Sequence, residues 1–586
     1  MNYPSIFIST YIPAIISEGN YSILEAVGFN IIYKKSLEGK IFIYQNDSIL
    51  VFAQCSYGFL SLLKSKDANY FESELQIKET LPILQWGFLS IFSKTEKSVV
   101  IYNDIYGIYP LYYTKNEQFT ISNDFDGLAK MQKSLTPSVM GVYDYLLFNY
   151  TLKSHTLFNE INQLEGNSKL FYDVNRIKVF SFDIEILDRI PAVEVGVEAM
   201  CDSLNTNVRG NIDPMLPNTA PLTGGFDSKV IISLLLSLGY DFDTFTFGYE
   251  NSPDHIAAVS TATNLNFSHR FIGMSDEFIQ NLDIKLDMFL RNHPNAPMFD
   301  TLLSYLSVSE VLAPCNLITG QMGGELIVGP VLISELITTR TFAMLATASD
   351  TTSLQLGLRA DANQIGFIEM QTFNRGLEDY ASSLNYYLKK SDNSNIVNFL
   401  LKETYGKFFG VVFSNLFGKF NVVNPLVDIK YLRHLLTSQY RFTNKKPFKK
   451  APFSHFISRR LYPKLIKLMY PLVLKTKMDR GYNLEDFMHW YNFFKPFFNY
   501  AKRHLFRKKT ITYIPQARYF DEIRKKTLDV LPTSRLLDWS IFDKKTLLQQ
   551  INEMKSGNAT KFQERKLIQL FTLHLIFSRY STRVKF

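Results

Sequence analysis

Leu222-Thr223-Gly224-Gly225-Phe226-Asp227-Ser228 is the stretch whose reading decides the fold. A short strand reaches Leu222, and an apolar run from Ser228 to Leu238 follows, stopped by Gly239. The glycines let the backbone approach an anion, and the amides of such a turn at a helix N-terminus point toward it. Thr223 and Ser228 add hydroxyl donors. Asp227 beside a phosphate is costly unless a cation bridges them, so it reads as a Mg²⁺ ligand. The spacing is not that of a GxxxxGK[ST] loop. Read alone, the stretch also fits an ordinary Gly-containing strand–helix turn.

Outward from the loop, the pattern alternates. Asp243 to Gly248 reads as a strand, Asp254 to Thr263 as a helix, and Phe271-Ile272 ends a third strand. Ser275-Asp276-Glu277 opens a helix with acids at its positive end. Asn316 to Thr319 is a further strand, closing at Gly320. This alternation predicts a parallel, doubly wound α/β sheet. Beyond about residue 340 helical patterns dominate. Upstream, residues 1–190 are β-rich: Ile41 to Tyr44, Ser48 to Phe52, Ser98 to Tyr102, Leu111 to Tyr113 and Phe119 to Ser122 are short β-branched or aromatic runs between polar turns. That rhythm predicts stacked antiparallel sheets.

The 586 residues are too many for one ordinary core, so two or more domains are expected. Cys55, Cys201 and Cys315 lie far apart without CxxC spacing, which predicts neither a disulfide framework nor a metal knuckle and favours a reducing cytoplasm. Met1 to Asn20 lacks the pattern of a signal peptide. Val230 to Leu238, the longest apolar stretch, is too short to span a bilayer, so no membrane role is expected. Residues 441–586 carry 32 Lys+Arg against 10 Asp+Glu, a net +22, whereas residues 1–440 carry 31 against 45, a net −14. A basic block implies an anionic partner or a face packed on the acidic remainder. Nothing resembles a nucleic-acid module.

The loop resembles the SGGxDS signature of ATP pyrophosphatases, with Thr223 in place of the first serine. Similarity to the asparagine-synthetase branch extends further. Asn103-Asp104-Ile105-Tyr106-Gly107-Ile108-Tyr109-Pro110-Leu111-Tyr112-Tyr113 resembles its D-x-x-G-x-x-P-L-Y-Y hairpin, and Thr156 to Ile161 with Leu164-Glu165-Gly166 its T-L-F-x-x-I…L-x-x-G segment. Phe247-Gly248-Tyr249 with Ser252-Pro253-Asp254 resembles its second nucleotide strand. Thr319-Gly320-Gln321-Met322-Gly323-Gly324-Glu325-Leu326 corresponds to S-G-x-G-x-D-E-L, Asn424 to Asp428 to P-F-L-D, and Lys477 through Gly481-Tyr482 to the late lysine segment. The resemblance implies a glutaminase-like antiparallel β-sandwich over 1–190. An ATP-pyrophosphatase synthetase domain follows over 191–586, helical and basic from about 440.

It also implies ATP and Mg²⁺ as cofactors. Leu222 to Ser228 would hold the phosphates, Asp227 and the adjacent Glu325 the metal, and Phe247, Gly248, Tyr249 and Gly320 the nucleotide. Lys477 would stabilise charge on an acyl-adenylate transition state, with Asp227 as its catalytic partner. A carboxylate, small-molecule or peptide, would be adenylated with release of pyrophosphate and then attacked by an amine. Four departures bear on this. Position 2 is Asn rather than the nucleophilic Cys of glutamine-hydrolysing members, and Ala53-Gln54-Cys55 keeps neither Asn nor Glu of their glutamine-binding stretch. In this the chain resembles β-lactam synthetases and lasso-peptide cyclases, which use an amine already on the substrate. Gly324 stands where the second magnesium aspartate is expected, Gln321 where some members have a base, and Pro221 sits in the strand feeding the loop. The expected reaction is amide-bond formation in a peptide or lactam macrocycle, with a precursor peptide and its maturation protein as possible partners. The alternatives are an ammonia-using asparagine synthetase and a degenerate ATP-binding subunit. Asp428 and His255 are expected to be structural.

Overall fold

The computed structural model describes residues 5–12, 21–26, 28–76, 84–114, 119–173, 176–184, 196–248, 250–273, 276–293, 295, 308–328, 348–388, 394–414, 416–440, 460–479, 482–488, 494, 498 and 514–584. The N-terminal part holds twelve short strands among the described residues: β1 (Ile6–Ser9), β2 (Tyr21–Ala26), β3 (Phe29–Lys34), β4 (Phe42–Gln45), β5 (Ile49–Cys55), β6 (Gly87–Ser93), β7 (Ser98–Asn103), β8 (Leu111–Thr114), β9 (Thr120–Ser122), β10 (Ile161–Leu164), β11 (Ser168–Asp173) and β12 (Arg176–Ser181). They form two six-stranded sheets, ordered β10-β8-β9-β1-β3-β2 and β12-β11-β7-β6-β5-β4. The described pairs in both are antiparallel.

Alternation along β5 explains its two faces. Leu50 and Phe52 join the main core, while Ile49, Val51, Ala53 and Cys55 pack outward against Phe59, Leu63 and Phe71 of the helices Tyr57–Lys64 and Ala68–Gln76. The turn between β7 and β8 is organised by one carboxylate. Asp104 accepts the amides of Tyr106 (3.0 Å), Ile108 (3.1 Å) and Tyr109 (2.8 Å). That is the physical content of the Asp-x-x-Gly hairpin read in the sequence. Helix α1 (Val139–Phe148) follows, N-capped by Ser138.

Past α2 (Val197–Asn211) the chain enters the parallel sheet: β13 (Asn218–Pro221), α3 (Phe226–Ser237), β14 (Asp243–Gly248), α4 (Pro253–Leu265), β15 (Ser268–Gly273), β16 (Asn316–Ile318), α5 (Gly323–Val328) and β17 (Asn421–Val423). The order is β15-β14-β13-β16-β17, every pair parallel. Strands thus run outward one way from β13 and then the other way from β16, so a topological switch point lies between them. Two sequence expectations are corrected here. Helix α3 begins at Phe226 rather than Ser228, which draws Asp227 into its first turn. The fifth strand, β17, lies about 100 residues beyond the last strand foreseen. Pro221 is tolerated because the β13–β16 ladder ends at Thr219–Leu317, so Pro221 pairs only with Phe245 of β14.

The two parts share one continuous core. Trp86 stacks on Phe417 at 4.3 Å and donates its indole N–H to Val422 O at 3.1 Å. Asp428 caps α6 (Ile429–Thr437) through the amides of Lys430 and Tyr431, and also accepts Gln85 (3.1 Å) and Asn207 (2.8 Å). Its role is structural, as expected. After α7 (Leu461–Met469), the basic C-terminal stretch returns in α8 (Lys561–Arg579) to the sandwich. Arg579 meets Asp126 and Asp287, Tyr580 donates to Asp126 at 3.0 Å, and Gln569 bonds Tyr145 O and Asn149. Part of the positive block is therefore spent on the acidic remainder. Among the described residues no helix is long and apolar enough to cross a membrane.

Candidate nucleotide site

The loop after β13 and the loop after β16 emerge side by side at the switch point, where open α/β sheets bind ligands. Leu222 is buried and extends the ladder, donating to Phe245 O at 2.8 Å while its own carbonyl accepts Thr246 Oγ1 at 2.6 Å. Its loop is held by its own side chains. Thr223 N donates to Ser228 Oγ (3.2 Å), and Gly225 N to Thr223 Oγ1 (3.1 Å). Gly224 is clamped from both sides. Its N–H donates to Asp254 Oδ1 at 2.9 Å, and its carbonyl accepts Asp479 N at 3.3 Å. A Cβ at Gly224 would lie 2.5 Å from Asp479 N, so only glycine fits.

Asp227 faces the other loop. Tyr462 of α7 donates its hydroxyl to Oδ1, and the Gly324 amide hydrogen-bonds the carboxylate. Burial pushes the Asp227 carboxyl up to about 6, against the pull of these two donors. Three glycines pack on this side chain. A Cβ on Gly320 would lie 3.1 Å from Asp227 Cβ, one on Gly323 2.9 Å from Oδ1, and one on Gly324 3.3 Å from Oδ2. Met322, at the position where the resembled loop has glycine, is buried with φ +73. A side chain in that left-handed region costs about 1 kcal/mol or more, so the surrounding packing over-determines the turn.

A carboxylate at position 324 would sit beside Asp227 with nothing but a cation to separate the charges. With glycine there, the backbone amide of 324 meets the Asp227 carboxylate and no second carboxylate does so from that position. Among the described residues no group of three His, Cys, Asp or Glu side chains is placed to hold a metal. The donor set does not build a resident metal cage. It fits a Mg²⁺ that arrives with phosphates, since such an ion takes one or two carboxylates and completes its shell with phosphate oxygens and water.

The remaining predicted residues fall as follows. Phe247 and Gly248 close β14 at the same crevice edge, half-buried, and the space before Gly248 is open. Tyr249 lies outside the described residues, as does the Glu325 side chain, although its backbone is in α5. Lys477 is exposed and bridges in antiparallel fashion to Asn483, two residues before the Asp479 that rests on Gly224. Gln321 turns its backbone carbonyl to Asn424 Nδ2 (2.8 Å), and its buried Oε1 accepts no hydrogen bond among the described residues. His255 accepts the Asn251 amide at 3.1 Å from the start of α4 and packs on Phe271, away from any metal set.

Sequence reasoning missed two groups. Tyr462 enters from 235 residues downstream, and no local pattern announces it. Lys229, read only as part of an apolar helix, is fully buried beneath the loop, and burial pulls its ammonium down to about 7 against the nearby Asp479.

In the sandwich, Gln54 points inward, where Tyr109 OH donates to its Oε1 at 2.6 Å and Asn123 Nδ2 donates to Tyr109 OH at 2.9 Å. Cys55 is buried on the opposite, outward face, and burial pushes its thiol well above the usual range. Such burial disfavours the reactive thiolate. Asn2 lies outside the described residues.

Residues 85–182, spanning β6 to β12, match the model of a glutamine amidotransferase domain. The chain resembles the asparagine synthetases. It is 27% identical over 230 residues to the glutamine-hydrolysing asparagine synthetase of Bos taurus, a stretch covering 35% of this chain and 38% of that protein. The Homo sapiens enzyme is 24% identical over 228 residues, with the same shares, and asparagine synthetase 1 of Bacillus subtilis 23% over 173 residues, 27% of this chain and 26% of that protein. The matched stretch is thus well under half the length of these relatives.

Proposed function

We propose that this chain is an ATP-dependent, amide-forming ligase that activates a carboxylate at the switch-point crevice for attack by an amine not drawn from glutamine. One observation carries the reading: two glycine loops converge at the β13–β16 switch point on the carboxylate of Asp227. The likeness to asparagine synthetases supports the same reaction class. Mg²⁺, brought with the phosphates, would neutralise their charge; Asp227 would hold it, and the Thr223 and Ser228 hydroxyls with the loop amides would orient the phosphates. Phe247, Gly248, Tyr249 and Gly320 would border the nucleotide. Lys477 would meet charge developing in the transition state that forms the acyl-adenylate.

The outward, buried Cys55 and the Gln54–Tyr109–Asn123 cluster support an amine other than glutamine-derived ammonia. An amine within the same peptide or lactam precursor is the preferred source, with free ammonia as the alternative. The test is Mg²⁺-dependent exchange of labelled pyrophosphate into ATP across a panel of carboxylates and peptides. Exchange with one class assigns the acceptor. The second reading, a nucleotide-binding partner subunit without activity, is favoured by Gly324 and by loop amides already engaged, those of Thr223 and Gly225 with the loop's own hydroxyls and that of Gly224 with Asp254. ATP binding without exchange on any carboxylate would establish it.

A further inference from the structure

Lys229 is an unusual tenant of a helix core. It is fully buried on α3, one residue after the loop, and its Nζ donates to Thr261 Oγ1 at 2.9 Å and to Thr476 Oγ1 at 2.7 Å. Both hydroxyls spend their own protons elsewhere: Thr261 on Ala257 O at 2.7 Å, Thr476 on Val473 O at 2.8 Å. Each oxygen is therefore left as an acceptor, and the pair selects a donor. A buried ammonium is costly unless such partners are supplied, so an apolar side chain of the same length would be the cheaper filler if filling were all that mattered.

The two elements bridged by Lys229 are those that clamp Gly224 above it. Helix α4 supplies Asp254 to the Gly224 amide and Thr261 to Lys229. Segment 473–479 supplies the Asp479 amide to the Gly224 carbonyl and Thr476 to Lys229. Two rungs thus fasten segment 473–479 as one wall of the crevice, and Lys477 lies between the rungs in sequence.

We infer that Lys229 is a positioning residue: it pins segment 473–479 against α3 and α4 so that Lys477 stands over the phosphate loop. This rests on the nucleotide-site reading above. With Gly324 in place of a second carboxylate, the crevice has less to organise a metal-borne phosphate charge, and a fixed lysine carries more of that task.

The test uses the full chain with three variants, Lys229→Met, Thr476→Val and Thr476→Ser. Two quantities are measured: amide hydrogen exchange at Met478 and Asp479, and affinity for a fluorescent ATP analogue in Mg²⁺. Lys229→Met and Thr476→Val are expected to speed exchange at Asp479 and to weaken nucleotide binding about tenfold or more, as loss of a residue orienting a ligand group does. Thr476→Ser, which restores the acceptor, is expected to return both toward wild type, and a merely packing role would not give that rescue. Wild-type exchange at Asp479 in Lys229→Met overturns the inference. If Lys229→Met fails to fold, the Val and Ser pair at position 476 decides. Weakened binding in Lys477→Ala with none in Lys229→Met overturns the inference and leaves the nucleotide reading standing. If the wild type binds no ATP, that reading fails, and exchange at Asp479 alone judges Lys229.

Discussion

In the sandwich, the inner face of β5 presents Gln54 to Tyr109 and Asn123, while the neighbouring thiol of Cys55 points away into an apolar layer. In the parallel part, the crevice between β13 and β16 keeps a carboxylate, hydroxyls and a lysine-bearing wall. Both parts hold the backbone frame that their motifs predict; among the described residues, the second brings a carboxylate and hydroxyls to one crevice, whereas the first turns its cysteine into an apolar layer. The contrast teaches that a frame is built by groups other than those that would react. Asp104 and its three amides preserve the hairpin whether or not a nucleophile stands beside it.

The sharpest way to break this comparison is at Asp227. Asp227→Ala is expected to abolish AMP release, by at least about 100-fold; unchanged AMP release would remove Asp227 from the chemistry and leave neither half with a working group. Next in size is the frame itself. Asp104→Ala leaves the amides of Gly87, Tyr106, Ile108 and Tyr109 without this acceptor, each worth about 1–3 kcal/mol, so a loss of roughly 3 kcal/mol or more is expected from the urea midpoint. A shift below about 1 kcal/mol would show that the hairpin is held by packing alone.

A smaller effect sharpens the comparison between the two loops. Gly324→Asp sets a second carboxylate about where a Cβ would stand 3.3 Å from Asp227 Oδ2. Two adjoining carboxylates repel unless a cation joins them. The variant is expected to melt lower in a chelator and to recover with Mg²⁺, with ATP binding in Mg²⁺ roughly tenfold tighter. No Mg²⁺ dependence would show that this loop cannot rebuild the site. The smallest effect belongs to the sandwich. Cys55→Ala is expected to cost about 1 kcal/mol of packing and to alter no glutamine turnover. Glutamine hydrolysis that vanished in this variant would return catalytic function to the N-terminal part.

Much of this was legible in the sequence because it rests on local rules. The glycine loop, the alternation of strands and helices to Asn316, and the polar turns of the sandwich each follow from neighbours a few residues apart. The rest depends on distant partners. β17 is three residues long, too short for any periodicity, and is a strand only because β16 accepts it. Tyr462 reaches Asp227 from another helix. Lys229 passes unremarked within an apolar helix because the hydroxyls that satisfy it lie 32 and 247 residues away. The π-helix Phe399–Phe409 buries Lys402, Glu403 and Lys407, with Lys407 paired to Glu403 at 2.9 Å, where composition alone would have put charge outside.

The reach of Tyr462 to Asp227 also sets a schedule during synthesis. The loop is translated 235 residues before the hydroxyl that completes it. At about 5–20 residues per second, the ribosome needs roughly 10 to 50 s to deliver that partner, and slightly longer for the wall that ends at Asp479. Until then the growing chain carries Asp227 without that donor. The crevice is therefore completed late, and a chain cut short before Tyr462 would lack the hydroxyl that meets Asp227.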